Sequence, residues 1–76
     1  MTEGAKKPTP RPNLTSRQVE ILRLIVDGLQ TKEIATRLGI SPKSVEFHRT
    51  RLYAAIDVTN VVGAVKFAIR EGYSTP

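Results

Sequence analysis

Apolar residues recur at helical spacing in the first part of the chain. The stripe consists of Val19, Leu22, Ile25, Val26 and Leu29, with Ile21 beside it. Thr15 and Gln18 have the spacing of a capping box, and Gly28 follows as a helix C-terminal signal. The pattern predicts a helix that begins at Leu14–Thr15, ends at Gly28 and supplies apolar surface to the core.

Two short helices joined by a tight turn are predicted next. Thr31 is the expected N-cap of the first of them. Its apolar stripe consists of Ile34, Ala35 and Leu38. Gly39 stands where the chain must turn sharply, and Ser41 then caps a further helix with Pro42 at its first position. A helix, a turn that contains Gly and a second capped helix together form the helix-turn-helix pattern.

A helical wheel divides the helix after Ser41 into two faces. The face expected to pack on the core contains Val45, His48, Leu52, Ala55 and Ile56. The opposite face contains Lys43, Glu46, Phe47, Thr50, Arg51 and Ala54. Cations, small polar side chains and one aromatic on an outer face favour a reader of the DNA major groove. The alternative is a solvated amphipathic helix with ordinary surface charges.

Phe47 and Glu46 lie on that outer face. Phe47 is expected to contact a thymine methyl group and Glu46 to accept a hydrogen bond from the amine of cytosine. The alternative for Phe47 is that its ring leans back over the preceding helix and packs as core. His48, on the other face, is expected to have a structural role.

The last predicted helix runs from Val61 to Glu71 and stops at Gly72, after a polar break with a cap at Thr59 or Asn60. Its core-facing residues are expected to be Val61, Ala64, Val65 and Ala68. Val62 and Ile69 form a second apolar strip, which suggests a contact with a second copy of the chain. The predicted dimer residues are Val62, Lys66, Ile69 and Tyr73. The alternative is that the second strip only widens the core stripe.

Composition narrows the classes of function. The 76 residues contain no Cys and one His, which disfavours disulfides and metal sites. No paired carboxylates, phosphate loop or activated nucleophile is recognisable, so an enzyme is not expected and no cofactor is predicted. No apolar run reaches the ~20 residues of a membrane span. A single all-α domain of four helices over residues 14–73, located in the cytoplasm and without membrane contact, is the expectation.

The net charge of +5 is unevenly distributed. Residues 1–13 carry a net +2 and residues 29–53 a net +3, while the remaining segments balance. This concentration of cations indicates a polyanion as partner, with double-stranded DNA the first candidate. Residues 1–13, which are rich in Pro, are predicted to form a flexible basic arm along phosphates or in a minor groove. The alternative for this arm is a solubilising tail or an interdomain linker.

Four stretches carry a family likeness. They are LTSRQVEIL from Leu14, GLQTKEIA from Gly28, SVEFH from Ser44 and IDVTN from Ile56. In this order and spacing they resemble the LuxR/GerE-type DNA-binding domain of bacterial transcription regulators, a four-helix fold that contains a helix-turn-helix. The resemblance covers residues 14 to about 72 and implies a transcription regulator that reads duplex DNA sequence-specifically in the major groove, with the third helix in the groove and the fourth in a dimer contact.

The resemblance also implies that Lys32 and the turn region touch phosphates. The complete set of predicted DNA-binding residues is Thr31, Lys32, Ser41, Lys43, Ser44, Glu46, Phe47, Arg49, Thr50 and Arg51. Four positions depart from the family pattern. Glu46 replaces the usual Lys, Arg51 a common Asn, Ala55 a common Lys and Val61 a common Arg.

Two other interpretations are compatible with the sequence. Region four of sigma factors shares the capping box and the helix-turn-helix pattern, although the ordered fourth helix disfavours it. A protein-interaction module with the same fold and reduced DNA affinity is favoured by Glu46 and Phe47. RNA polymerase is a further candidate partner of a regulator of this kind.

Overall fold

The computed structural model describes residues 13–73, which form four helices without a strand. These are α1 (Ser16–Val26), α2 (Thr31–Leu38), α3 (Pro42–Ile56) and α4 (Val61–Glu71). The predicted all-α fold of four helices is therefore confirmed. The predicted basic arm, apart from Asn13, lies outside the described residues.

Three of the helices begin at caps that the sequence indicates. The Thr15 hydroxyl accepts from the Gln18 N–H at 3.1 Å, while the Gln18 side chain accepts from the Thr15 N–H at 2.9 Å. Ser41 accepts from the backbone N–H three residues ahead at 3.0 Å. Asn60, rather than Thr59, caps α4 in the same way, also at 3.0 Å. Each cap satisfies a backbone donor that the first helical turn leaves unpaired.

The predicted cap of α2 is wrong. Gln30 occupies the N-cap position in an extended conformation, and its N–H donates to the Glu33 carboxylate at 2.7 Å. Thr31 is the first helical residue, so its side chain does not cap the helix. The hydroxyl contacts α3 instead.

Two left-handed residues reverse the chain at the ends of α2 and α3. Gly39 has φ 69°, as its position in the tight turn requires. Asp57 has φ 59° and is the one residue other than Gly with positive φ between residues 13 and 73. Asp tolerates this conformation better than most residues, because its short polar side chain interacts locally with the backbone.

The core lies around α1 and α3, each of which contacts every other helix. Its buried residues are Ile21, Leu22, Ile25, Ile34, Ala35, Val45, Leu52, Ile56, Ala64, Phe67 and Ala68. Three assignments from the helical wheels need correction. Ala55 and Val61 are exposed, whereas Phe67, which was not expected in the core, is 5% exposed. The buried face of α4 is rotated towards Phe67, whose long side chain reaches the core, and Val61 stands at the exposed start of the helix.

Within residues 13–73, no single helix is long and apolar enough to cross a membrane. Only α3 and α4 taken together have the required length and apolar character, and they are bent by 60° at the break between them.

Candidate nucleic-acid interface

The outer face of α3 presents a continuous polar and aromatic surface, called here the reading face. It consists of Lys43, Glu46, Phe47, Thr50, Arg51 and Ala54, all exposed as the wheel predicts. Five of them, all but Ala54, line a shallow surface depression. Val45 and Leu52 are fully buried on the opposite side of the helix. Their packing fixes the rotation of α3 and so determines which side chains face outwards.

Phe47 is the most unusual member of the reading face. The residue is 58% exposed, so the alternative that it packs as core is wrong. The Arg51 guanidinium lies over its ring at 5.5 Å from the centroid, and the half-buried His48 meets it edge-on at 5.5 Å. These two neighbours hold the phenyl group in place while much of its surface remains open to a ligand.

Glu46 is engaged within the protein. Its Oε2 accepts from the Thr31 hydroxyl at 3.0 Å, and its Oε1 accepts from Arg49 Nη2 at 3.4 Å. Arg49 Nη1 in turn donates to the Thr31 hydroxyl oxygen at 3.3 Å. Thr31, Glu46 and Arg49 thus form a closed hydrogen-bond ring that links α2 to α3. Both oxygens that were expected to accept from cytosine already accept hydrogen bonds.

The Arg49 guanidinium also lies 5.9 Å from the centroid of the Tyr53 ring, one turn further along α3. Burial raises the pKa of the Tyr53 hydroxyl, the Arg49 charge lowers it and the Glu46 charge raises it again. The opposing effects of Arg49 and Glu46 are those expected of a paired cation and anion beside the phenol. Tyr53, absent from the predicted site, thus contacts the Arg49 guanidinium of the hydrogen-bond ring, and its spacing of four residues from Arg49 is the sequence signal for this contact.

The other predicted DNA-binding residues include Ser41 and Ser44 at the start of α3 and Lys32 in the first turn of α2. Ser41 caps α3, and its hydroxyl donates to the Ser44 hydroxyl at 3.1 Å. Both side chains therefore form hydrogen bonds at the start of the helix in the free domain. Lys32 and Lys43 are exposed and form no ion pair with any residue of the described segment. Their charges are available to an anionic partner.

A second exposed surface runs along α4. Val61, Val62 and Ile69 are 49%, 59% and 64% exposed, and they are called here the α4 strip. The alternative that Val62 and Ile69 only widen the core is therefore wrong. Lys66 is exposed on the same helix, and Tyr73 follows its end.

Tyr73 is partly committed to the fold. Its ring stacks on Phe67 at 5.8 Å between centroids, and its carbonyl accepts from Arg23 Nε at 3.2 Å. The residue is half-buried against the core. It therefore has less free surface than the other predicted dimer residues.

The helix α2 joined at a left-handed Gly39 to α3, which exposes a reading face, defines a helix-turn-helix protein. Residues 12–68 match the family described as bacterial regulatory proteins, luxR family, and the chain belongs to that family.

Curated relatives and solved structures agree with this membership. The chain is 45% identical over 62 residues to the uncharacterized response regulatory protein YgeK of Escherichia coli K12, covering 82% of this chain and 42% of that protein. The response regulator ChrA of a heme-sensing two-component system matches with a TM-score of 0.77 and 29% identity, over 91% of this chain and 34% of that one. A Vibrio cholerae VqmA–ligand–DNA complex matches with a TM-score of 0.76 and 28% identity, over 90% and 30%.

The chain thus spans less than half the length of these relatives. It is a luxR-family helix-turn-helix domain of a transcription regulator, a class of DNA-binding domains without enzymatic activity. Family membership confirms the predicted resemblance and decides against region four of sigma factors.

Proposed function

We propose that this domain binds duplex DNA sequence-specifically, with α3 in the major groove. The observation that carries the proposal is the reading face, where Phe47, Thr50 and Arg51 are exposed side by side. Its one acid, Glu46, is paired with Arg49. An α-helix fits the major groove, and its outward side chains then meet the base edges.

The exposed residues divide by chemistry. Lys32 and Lys43 carry charges suited to phosphates, which position a protein on DNA without reading sequence. Phe47 offers an apolar surface for a thymine methyl group, Thr50 suits either a methyl or a polar base edge, and Arg51 suits the acceptors of guanine. Ser41 and Ser44, at the start of α3, lie beside the same surface.

The domain is further proposed to bind as a homodimer through α4. Val62 and Ile69 expose apolar surface that the core does not use, and Lys66 flanks them. Because this strip is small, pairing should be weak in free solution and strengthened on DNA. Two copies related by a two-fold axis would favour half-sites about one helical turn apart.

Binding to random-sequence DNA at several salt concentrations, measured by fluorescence anisotropy, tests the electrostatic part. The logarithm of the affinity should fall with the logarithm of salt concentration, by about 0.9 for each phosphate neutralised. Selection of bound duplexes from a random pool then tests sequence preference. Affinity that does not depend on salt would refute DNA binding and favour the protein-interaction module.

A regulator that binds chromosomal DNA must be in the same compartment as that DNA. For a bacterial regulator this is the cytoplasm, which is the proposed location.

A further inference from the structure

The hydrogen-bond ring of Thr31, Glu46 and Arg49 joins the two helices of the helix-turn-helix on their exposed side. Thr31 lies in the first turn of α2, and the other two residues lie on α3. Each of the three side chains bonds to both others. On the buried side, Ile34 and Ala35 pack α2 into the core. The helices are thus held together at two places, one apolar and one polar.

The ring also changes the charge that DNA would meet. A free carboxylate on a surface approaching phosphates would be repelled by them. In the ring, the Glu46 carboxylate is 3.4 Å from the Arg49 guanidinium, so the two charges largely cancel at longer range. Glu46 and Arg49 together therefore add almost no net charge to the surface, whereas Lys32, Lys43 and Arg51 keep theirs.

We infer that Glu46 and Arg49 are positioning residues for DNA recognition, which act through Thr31 and do not themselves contact bases. This inference rests on the proposed DNA binding. The ring fixes the first turn of α2 relative to the reading face. Lys32, which follows Thr31, then stands at a set distance from Phe47 and Arg51.

A fixed distance matters because phosphate and base contacts must be made in one register. If the ring opens, phosphate contacts still form on any sequence, but the base contacts of the best site no longer form together with them. Sequence discrimination should therefore fall, while affinity for random DNA should change little.

Thr31→Val tests this inference without changing any charge. The variant keeps the shape of the side chain and removes the hydroxyl that closes the ring. Its affinity for the best selected site should fall about five- to tenfold, as for other coupled side-chain networks. Its affinity for random DNA and its salt dependence should be unchanged. Thr31→Ser keeps the hydroxyl and should restore the discrimination.

A double-mutant cycle of Thr31→Val and Glu46→Gln shows whether the two side chains act through one coupled network or through independent contacts. Because both substitutions open the same ring, their combined effect on the ratio of best-site to random affinity should be smaller than the product of the single effects. Glu46→Gln alone should also raise affinity for random DNA, since Arg49 is then no longer neutralised. Thermal melting of each variant verifies that the fold is intact. If Thr31→Val does not fold, the ratio of best-site to random affinity is compared between Glu46→Gln and the wild type instead.

Three outcomes would overturn the inference. The first is an unchanged ratio of best-site to random affinity in every variant. The second is strictly multiplicative effects in the cycle. The third is an unchanged ratio in Thr31→Val alone, with an equal loss on both DNAs, which would mean that Thr31 contacts the DNA backbone directly. If instead the wild-type domain shows no salt-dependent binding to any DNA, the proposed function itself fails. The two failures are therefore distinguishable.

Discussion

Truncation of Phe47 to alanine is expected to weaken DNA binding while leaving the fold nearly unchanged. Phe47 is 58% exposed in the free domain. A fully enclosed aromatic side chain buries about 150–250 Å², so roughly half of that area, worth about 2–4 kcal/mol at full burial, is still available to DNA. A contact in the groove covers part of the ring. We therefore expect a loss of about 1–3 kcal/mol, or about 5- to 150-fold in Kd.

Phe67→Ala is the matched control, because it removes the same atoms from a site that is 5% exposed. Its cost should be about 3–5 kcal/mol of folding stability. In a domain of this size, about 1 kcal/mol lowers the Tm by about 4–8 °C, so Phe67→Ala should melt far below the wild type. Phe47→Ala should melt within a few degrees of it, since its contacts with His48 and Arg51 lie at the surface.

Melting temperature and affinity for the selected duplex should be measured on both variants. A large drop in the Tm of Phe47→Ala would mean that the phenyl group stabilises the fold. A normal Tm with undiminished affinity would mean that Phe47 does not contact the DNA. The second result would remove Phe47 from the proposed set of base contacts.

Three further substitutions test the phosphate contact, the dimer and the α3–α4 connection. Lys32→Ala should weaken binding to specific and random DNA alike and reduce the salt slope by about 0.9, and an unchanged slope would argue against a phosphate contact. Ile69→Glu should reduce binding to a palindromic duplex from two copies to one without lowering the Tm, because Ile69 is 64% exposed; two bound copies, counted by analytical ultracentrifugation, would contradict the α4 dimer. Gly63 lies in the first turn of α4, where Gly→Ala would normally gain less than the gain of about 1 kcal/mol in a helix interior. In Gly63→Ala the added Cβ would lie 3.0 Å from the Val58 Cβ and 3.2 Å from the Val58 Cγ1, so the Tm should fall. A higher Tm for Gly63→Ala would show that Val58 moves aside freely.

Features that depend on neighbours in sequence were predictable. The caps at Thr15 and Ser41 and the left-handed Gly39 each follow from a short motif whose hydrogen bonds close within a few residues. The bounds of α4, from Val61 to Glu71, follow from the cap before it and from Gly72 after it. The reading face of α3 could likewise be derived from a helical wheel. The apolar face packs on the core, so the opposite face must point outwards.

Features that depend on how helices meet were not predictable in the same way. Thr31 is a good cap residue by type, and only the approach of α3 shows that its hydroxyl serves Glu46 and Arg49 instead. The helical wheel of α4 assigned the core face to valines and alanines. The long Phe67 side chain reaches the core, so the buried face is rotated from the predicted one. Both errors arise from contacts between residues far apart in sequence.

The short connection from Asp57 to Asn60 has a consequence for the spacing of DNA sites. Asp57 reverses the chain, Val58 packs closely against Gly63, and Asn60 starts α4, so the two helices meet at a 60° bend with little freedom. In the proposed dimer, α3 reads a half-site and α4 holds the second copy. In that dimer, the connection between α3 and α4 would set how far apart the two half-sites must be. Chains with the same reading face and a different connection would prefer the same half-site at another spacing, which selection from duplexes of varied spacing would detect.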